Sequence, residues 1–286
     1  MQETRGAARV RVTVDGGVLD VELLGEAART GGSRRPVLVV QTALEAEELL
    51  PLARLLAASG SCRVAYLRRA GYGAPGSPAA RGSVAGDAAD CEAVAAALGW
   101  GPLHVIGASY SSAVALSWAS EHPGAVASLS LLEAPPTHTG AGERLRELSV
   151  ELAAVHAESG PAAALDSFMR LLAGPDWRAA REAAIPGSVE ALERDAPAFF
   201  GGDMPAVLGW RFGPDEAARV RCPVLYVGGG DTGPLFAEVG PWLASLVPQT
   251  QRQTIPGAGH DLDLTHAREA AELVLGFLDS RPTRTG

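Results

Sequence analysis

The 286-residue chain is 47% hydrophobic and 20% charged, with a formal net charge of −9. This composition excludes the disordered class, which lacks the apolar surface to offset its ordering entropy. The acidic balance disfavours nucleic acid or an anionic membrane as a partner, since both reward clustered Lys and Arg.

Residues 9–14 and 18–23 alternate apolar with polar around Asp15-Gly16-Gly17, which predicts a hairpin at an antiparallel edge. After a loop from Thr30 to Arg35, the continuous apolar run Val37 to Val40 predicts a strand buried on both faces of a parallel sheet. A helix is expected from about Leu44 to Ala58. The alternation then repeats: strand Cys62 to Tyr66, Gly/Pro-rich loop Arg68 to Ser83, helix Val84 to Leu98, strand Leu103 to Ile106, helix Ser111 to Glu121 and strand Val126 to Leu132. From Pro135 to about Arg221 the pattern is helical and interrupted at Pro161, Pro175, Pro186, Pro197, Pro205 and Pro214. The strand–helix rhythm resumes with Val224 to Val227, a helix near Phe236 to Leu246, a short strand around Gln253 to Ile255 and an amphipathic helix His266 to Leu278. Residues 281–286 read as a frayed tail.

Strands alternating with helices predict an α/β fold with a mostly parallel sheet. The core takes residues 1–135 and 222–286, and residues 136–221 form a helical insertion. Cys62, Cys91 and Cys222 are widely spaced and belong to no CxxC or Cys/His grouping, so they read as small buried hydrophobes in a reducing compartment. Met1 to Val10 is polar, and no segment approaches the roughly 20 apolar residues of a membrane span. A cytoplasmic protein, monomeric or homodimeric, acting on a small molecule without nucleic-acid or membrane partners is expected. The sequence contains no lysine, which excludes Schiff-base chemistry and a Walker-type phosphate loop. No GxGxxG follows the first parallel strand, so no cofactor is expected.

Between the strand Leu103 to Ile106 and the helix at Ser111 stands Gly107-Ala108-Ser109-Tyr110-Ser111, close to the G-x-S-x-G elbow that places a nucleophilic serine on a sharp strand-to-helix turn. Small neighbours are needed because the backbone doubles back there. The helix start favours a developing anion, and the Tyr110 amide is expected to point toward it. The bland alternative is that Ser109 only caps the helix.

With this elbow, the loop Tyr66-Leu67-Arg68-Arg69-Ala70-Gly71-Tyr72-Gly73, the run Pro223 to Gly228 ahead of Asp231, and Pro256-Gly257-Ala258-Gly259-His260, the chain resembles the α/β-hydrolase superfamily over roughly Val37 to Leu278. It looks most similar to esterase-like bacterial members that carry a helical cap. The resemblance implies an eight-stranded, mostly parallel sheet with the insertion as cap. It also implies a serine hydrolase whose nucleophile Ser109 is served by His260 as general base and acid. Asp231 stands where the family usually carries its orienting acid; Glu133, ending the strand Val126 to Leu132, is the runner-up. Asp261 and Asp263 read as solvent-facing loop carboxylates, and His266 as a weak rival for the base.

The second oxyanion amide should come from the turn after Val37 to Val40, where many relatives have His-Gly. Here Gln41-Thr42-Ala43 stands instead, so the Ala43 amide would pair with that of Tyr110 while Gln41 braces the loop. Trp177, Phe199, Phe200, Met204, Leu208, Trp210 and Phe212 suggest an aromatic pocket wall, with Arg211 an anchor; equally, these residues could form the insertion's own core. The expected reaction is hydrolysis of a carboxylic ester of a small to medium apolar substrate. A cyclase or acyltransferase on the same scaffold and a silent ligand-binding protein are the alternatives.

Overall fold

The computed structural model describes residues 8–25, 34–72 and 78–280. The polar first residues, most of the loop expected from Thr30, Gly73 and the tail 281–286 lie outside the described residues.

Among the described residues the strands form one eight-stranded sheet. They are β1 (Ala8–Val14), β2 (Gly17–Leu24), β3 (Arg35–Val40), β4 (Cys62–Leu67), β5 (Leu103–Ala108), β6 (Val126–Leu132), β7 (Val224–Gly229) and β8 (Thr250–Ile255). Their order is β1-β2-β4-β3-β5-β6-β7-β8. The β1–β2 hairpin is antiparallel and joins β4 antiparallel; β4, β3, β5, β6, β7 and β8 run parallel.

The central strands are apolar at most positions because both faces are covered. Val37 and Val39 pack into one cluster with α1 (Leu50–Ala58), α11 (Leu262–Thr265) and α12 (Ala267–Asp279). Leu38 and Val40 face the other way, toward α2 (Val84–Leu98), α3 (Tyr110–Glu121) and α10 (Val239–Leu246). In β5, Val105 and Ile106 divide between the same two layers. Each such side chain contributes on the order of 1.5–3 kcal/mol by leaving water.

Between β6 and β7 lie α4 (Gly142–Ser159), α5 (Pro161–Ala173), α6 (Trp177–Ala184), α7 (Ser188–Ala198), a π-helical turn (Phe199–Asp203), α8 (Met204–Gly209) and α9 (Pro214–Ala217). Of the prolines read from the sequence as interruptions, Pro197 lies inside α7, near its end, and the others punctuate the helices. Pro161, Pro205 and Pro214 sit in first turns, where their missing N–H groups cost nothing, and Pro175 and Pro186 fall in turns. Leu145, Leu165 and Leu192 continue the cluster that covers the α3 face, so the inserted helices share a core with the sheet layer.

Two elements differ from expectation. The first helix begins at Leu50, not Leu44, because Leu44 takes a φ of 67° in a turn and Pro51 opens the helix. β8 is longer than Gln253 to Ile255 because Thr250 to Thr254 is polar and mostly exposed; a sheet-edge strand needs backbone partners rather than apolar side chains. Cys62, Cys91 and Cys222 are buried free thiols. No helix among the described residues is long and apolar enough to cross a membrane.

Candidate active site

Three non-glycine residues among those described have positive φ: Leu44 (67°), Ser109 (45°) and Glu133 (47°). They follow the carboxyl ends of β3, β5 and β6, which are adjacent strands. Such conformations cost of order 1–3 kcal/mol each and persist where the surroundings enforce them, as functional sites do. All three residues border one site.

Ser109 joins β5 to α3 with ψ of −117°, and its N–H donates to Leu132 O on β6 at 2.9 Å. The turn is so tight that a Cβ at Gly107 would stand 2.4 Å from the Ser111 carbonyl oxygen, so only glycine fits. Ser111, where the motif has its last glycine, turns its hydroxyl inward to the Ala108 N–H and carbonyl. The Ser109 hydroxyl makes no helix-cap hydrogen bond; it lies 3.2 Å from His260 Nε2.

His260 follows β8 and leans over the sheet edge, 12% exposed. The Phe236 ring stacks on it, with centroids 3.8 Å apart and planes 16° from parallel. On its other side, His260 Nδ1 stands 3.4 Å from Glu133 Oε2. The Glu133 carboxylate is buried, accepts the Gly229 N–H at 2.7 Å on Oε1, and accepts the Thr232 hydroxyl on Oε2. The tautomer with Nδ1–H directed at Glu133 leaves Nε2 to accept the serine hydroxyl.

Asp231 occupies the place expected of the acid, but its side chain is exposed and makes neither hydrogen bond nor ion pair with His260. Its N–H is tied to Ala258 O at 2.9 Å, which fixes the loop instead. The geometry thus puts the runner-up Glu133 against the imidazole. The difference lies in where the side chains turn: the Glu133 carboxylate is held across the end of β7 by the Gly229 N–H and the Thr232 hydroxyl, whereas the Asp231 side chain turns to solvent. His266 instead contacts the Thr265 hydroxyl.

The segment Gln41 to Glu45 is held from several sides. Thr42 donates its hydroxyl to Ala108 O at 2.7 Å, and buried Gln41 accepts the Arg69 N–H on Oε1 at 2.9 Å. Arg69 donates Nε–H to Gln41 O and Nη2–H to Thr42 O. The Leu44 N–H donates to the Tyr72 hydroxyl at 3.2 Å. Tyr110 opens α3, so its N–H has no acceptor within the helix. Ala43 borders the same cavities as Ser109.

Behind this loop lies a buried ionic cluster that sequence reasoning did not single out. Arg69 pairs with Asp87 of α2 (3.1 Å) and with Asp203 of the π-helical turn (2.6 Å), all three almost fully buried. Tyr72 donates its hydroxyl to Asp203, Tyr110 donates its own to Asp87 at 2.8 Å, and the Arg69 guanidinium stacks 4.3 Å above the Tyr110 ring. Burial pushes the Asp87 carboxyl above its ordinary range. Asp203 thereby ties the inserted helices to the sheet edge.

Three cavities meet at His260. One of about 70 Å³ reaches Ser109 between Thr42, Ala43, Phe168, Phe199 and the polar residues Glu48, Arg181, Asp261 and Asp263. A second of about 60 Å³ is apolar, lined among others by Leu145, Leu148, Phe199, Met204, Val207 and Phe236. The third, about 300 Å³, lies between Arg144, Leu171, Leu172, Thr232 and Phe236.

Of the aromatic residues expected at the pocket, Phe199 lines the first two cavities. Trp177, Phe200, Trp210 and Phe212 line none of the three. Trp177 is wholly buried and donates to Asp166, Trp210 donates to Ser117 of α3, and Phe212 packs on Trp210 and Trp242. Helical periodicity could have favoured Phe168, Leu172 and Leu192, which do line the first cavity. Asp263, expected in solvent, is buried, because the short α11 turns it inward.

No curated protein shows significant sequence similarity to the chain. Solved structures share its fold. A thermophilic esterase from Thermogutta terrifontis superposes with a TM-score of 0.74 at 20% identity, covering 96% of this chain and 99% of the other. An enol-lactonase from Burkholderia xenovorans LB400 gives 0.77 at 17%, covering 94% and 100%. A carboxylesterase from Bacillus subtilis gives 0.69 at 17%, covering 98% and 94%. The model of the alpha/beta hydrolase family matches residues 43–273, most of the core and all of the inserted helices, and the chain accordingly belongs to that family of hydrolase-type enzymes.

Proposed function

We propose that the protein hydrolyses a carboxylic ester of a small to medium, largely apolar substrate through an acyl-enzyme on Ser109. The observation that carries this reading is the alignment of three groups from different strand ends. Ser109 Oγ stands 3.2 Å from His260 Nε2, and His260 Nδ1 stands 3.4 Å from a buried carboxylate, Glu133.

In the proposed cycle His260 removes the Ser109 proton as Oγ attacks the carbonyl carbon, then returns it to the departing alkoxide. Water, activated by the same imidazole, attacks the acyl-enzyme and releases the acid. Glu133 holds the tautomer and offsets the imidazolium charge; Gly229 N–H and Thr232 keep it aimed. The Tyr110 and Ala43 amides receive the oxyanion. They sit at the helix start and in the loop that Thr42, Arg69 and Tyr72 immobilise, and such donors must be preorganised. Residues 136–221 act as a cap whose inner residues, with Phe199 central, bound the substrate.

Labelling with a fluorophosphonate followed by peptide mapping tests this directly. Modification at Ser109, blocked in His260→Ala, is expected. A protein that binds esters without labelling would be a silent binder, and labelling with an acyl product passed to an added alcohol in preference to water would make it a transferase.

A further inference from the structure

The cavity of about 70 Å³ beside Ser109 has one charged end. Glu45 and Glu48 in the turn before α1, Asp263 in α11 and Arg181 in α6 gather there, each at least nine-tenths buried. Arg181 Nη1 donates to Glu45 at 3.0 Å and to Glu48 at 2.7 Å. That leaves Asp263 without an ion-pair partner among the described residues. Its Oδ2 is buried and accepts no hydrogen bond, although the residue lines the cavity together with Glu48, Asp261 and Ser109. Three buried carboxyl groups share one guanidinium. A buried carboxylate oxygen left unpaired carries the full desolvation cost that a partner would relieve.

The rest of that cavity is apolar: Phe168, Met169, Leu172, Leu192 and Phe199 complete its wall. We infer that the charged end receives a cationic group of the substrate, a primary ammonium on a short aliphatic stem, with Asp263 as its counter-ion and Glu48 beside it. The stem would lie along Phe168 and Leu172, and the volume limits the group to a few heavy atoms. An ammonium supplies donors without an acceptor, which fits an oxygen that lacks only a donor. Burial raises the Asp263 carboxyl above its ordinary range, and burial with the neighbouring Glu48 charge pushes Glu45 up to about 7. An arriving cation therefore displaces the Asp263 proton, and its binding strengthens as pH rises.

The inference takes from the esterase reading only that a substrate occupies this cavity, and it is tested without turnover. Calorimetric titration of the full chain with butylammonium, 1-butanol and butanoate at pH 8 should rank the ammonium at least about tenfold tighter than the alcohol, roughly the worth of one charge-assisted hydrogen bond. The alcohol has the same stem and a donor but no charge. Butylammonium should also slow fluorophosphonate labelling of Ser109, and Asp263→Asn should bring the two affinities within about twofold.

Equal binding of alcohol and ammonium, or an ammonium preference that persists in Asp263→Asn, would overturn the inference. Tighter binding of butanoate would overturn it as well and assign the polar end to the free Nε–H of Arg181. Should the variant fold poorly, the wild-type ranking decides, together with loss of the ammonium preference at pH 5. Ammonium binding without any serine labelling would sink the esterase reading alone; labelling without ammonium preference would sink this one alone.

Discussion

At the scale of single residues, the site depends on atoms that little else in the fold requires. The Ser109 hydroxyl makes no structural hydrogen bond apart from its contact with His260, so Ser109→Ala should lower kcat by about 10⁶ and leave the melting temperature unchanged. Steady-state kinetics beside thermal unfolding checks both. Glu133→Gln should lower kcat by about 10⁴, because an amide in place of the carboxylate invites the wrong histidine tautomer and withdraws the charge that offsets the imidazolium. Asp231→Asn, at an exposed position, should stay within about threefold of wild type. The opposite ranking would return the acid to Asp231.

At the scale of elements, the inserted helices are fastened to the sheet edge by a buried charge, and their largest aromatics serve packing. Asp203→Ala would take one of two buried carboxylate partners from Arg69, leaving Asp87 to balance it, and should cost about 1–3 kcal/mol in denaturant titration. Because Tyr72 would lose its acceptor while still bound to the Leu44 N–H, kcat should fall too, through the Gln41 to Glu45 loop. Trp210→Ala should cost about 3–5 kcal/mol of stability and lower activity on esters of every chain length alike. Phe199→Ala should instead alter the chain-length profile of kcat/KM, since Phe199 walls both small cavities. A Trp210 variant with a changed profile and an unchanged melting temperature would reverse these roles.

At the scale of the whole molecule, the acidic cluster that joins α6 to the turn before α1 gives stability a pH dependence. The Glu45 carboxyl is raised from 4.5 to about 7 in the folded protein, by burial first and then by Glu48, with Glu47 adding and Arg181 opposing. The folded state therefore holds a proton that the unfolded state releases. This contribution is fully present below pH 4.5 and is lost as pH rises through about 7, at a cost on the order of 1–3 kcal/mol. Asp263, which faces Glu48, Arg181 and Asp261, acts in the same direction. Glu45→Gln should flatten the fall in stability between pH 5 and 8 in urea titrations, and an unchanged slope would place the titrating group elsewhere.

The α/β class and most strand positions were legible in the sequence alone, because strands buried on both faces are mostly apolar and the run Val37 to Val40 says so directly. The sequence also marked Ser109, since the tight turn demands Gly107, and His260, since a Gly-rich loop follows a late strand. It favoured Asp231 over Glu133 as the acid, whereas Glu133 is the carboxylate that stands against His260. Both follow strands, and the difference rests on long-range hydrogen bonds from Gly229 and Thr232 that aim Glu133 at the imidazole. Nor could composition tell the packing aromatics Trp177 and Trp210 from the cavity residue Phe199, since all are buried and differ only in what they face. The Arg69–Asp203 pair and the unpaired Asp263 were equally illegible, because a charge reads as solvent-facing until tertiary packing buries it beside a partner or leaves it without one.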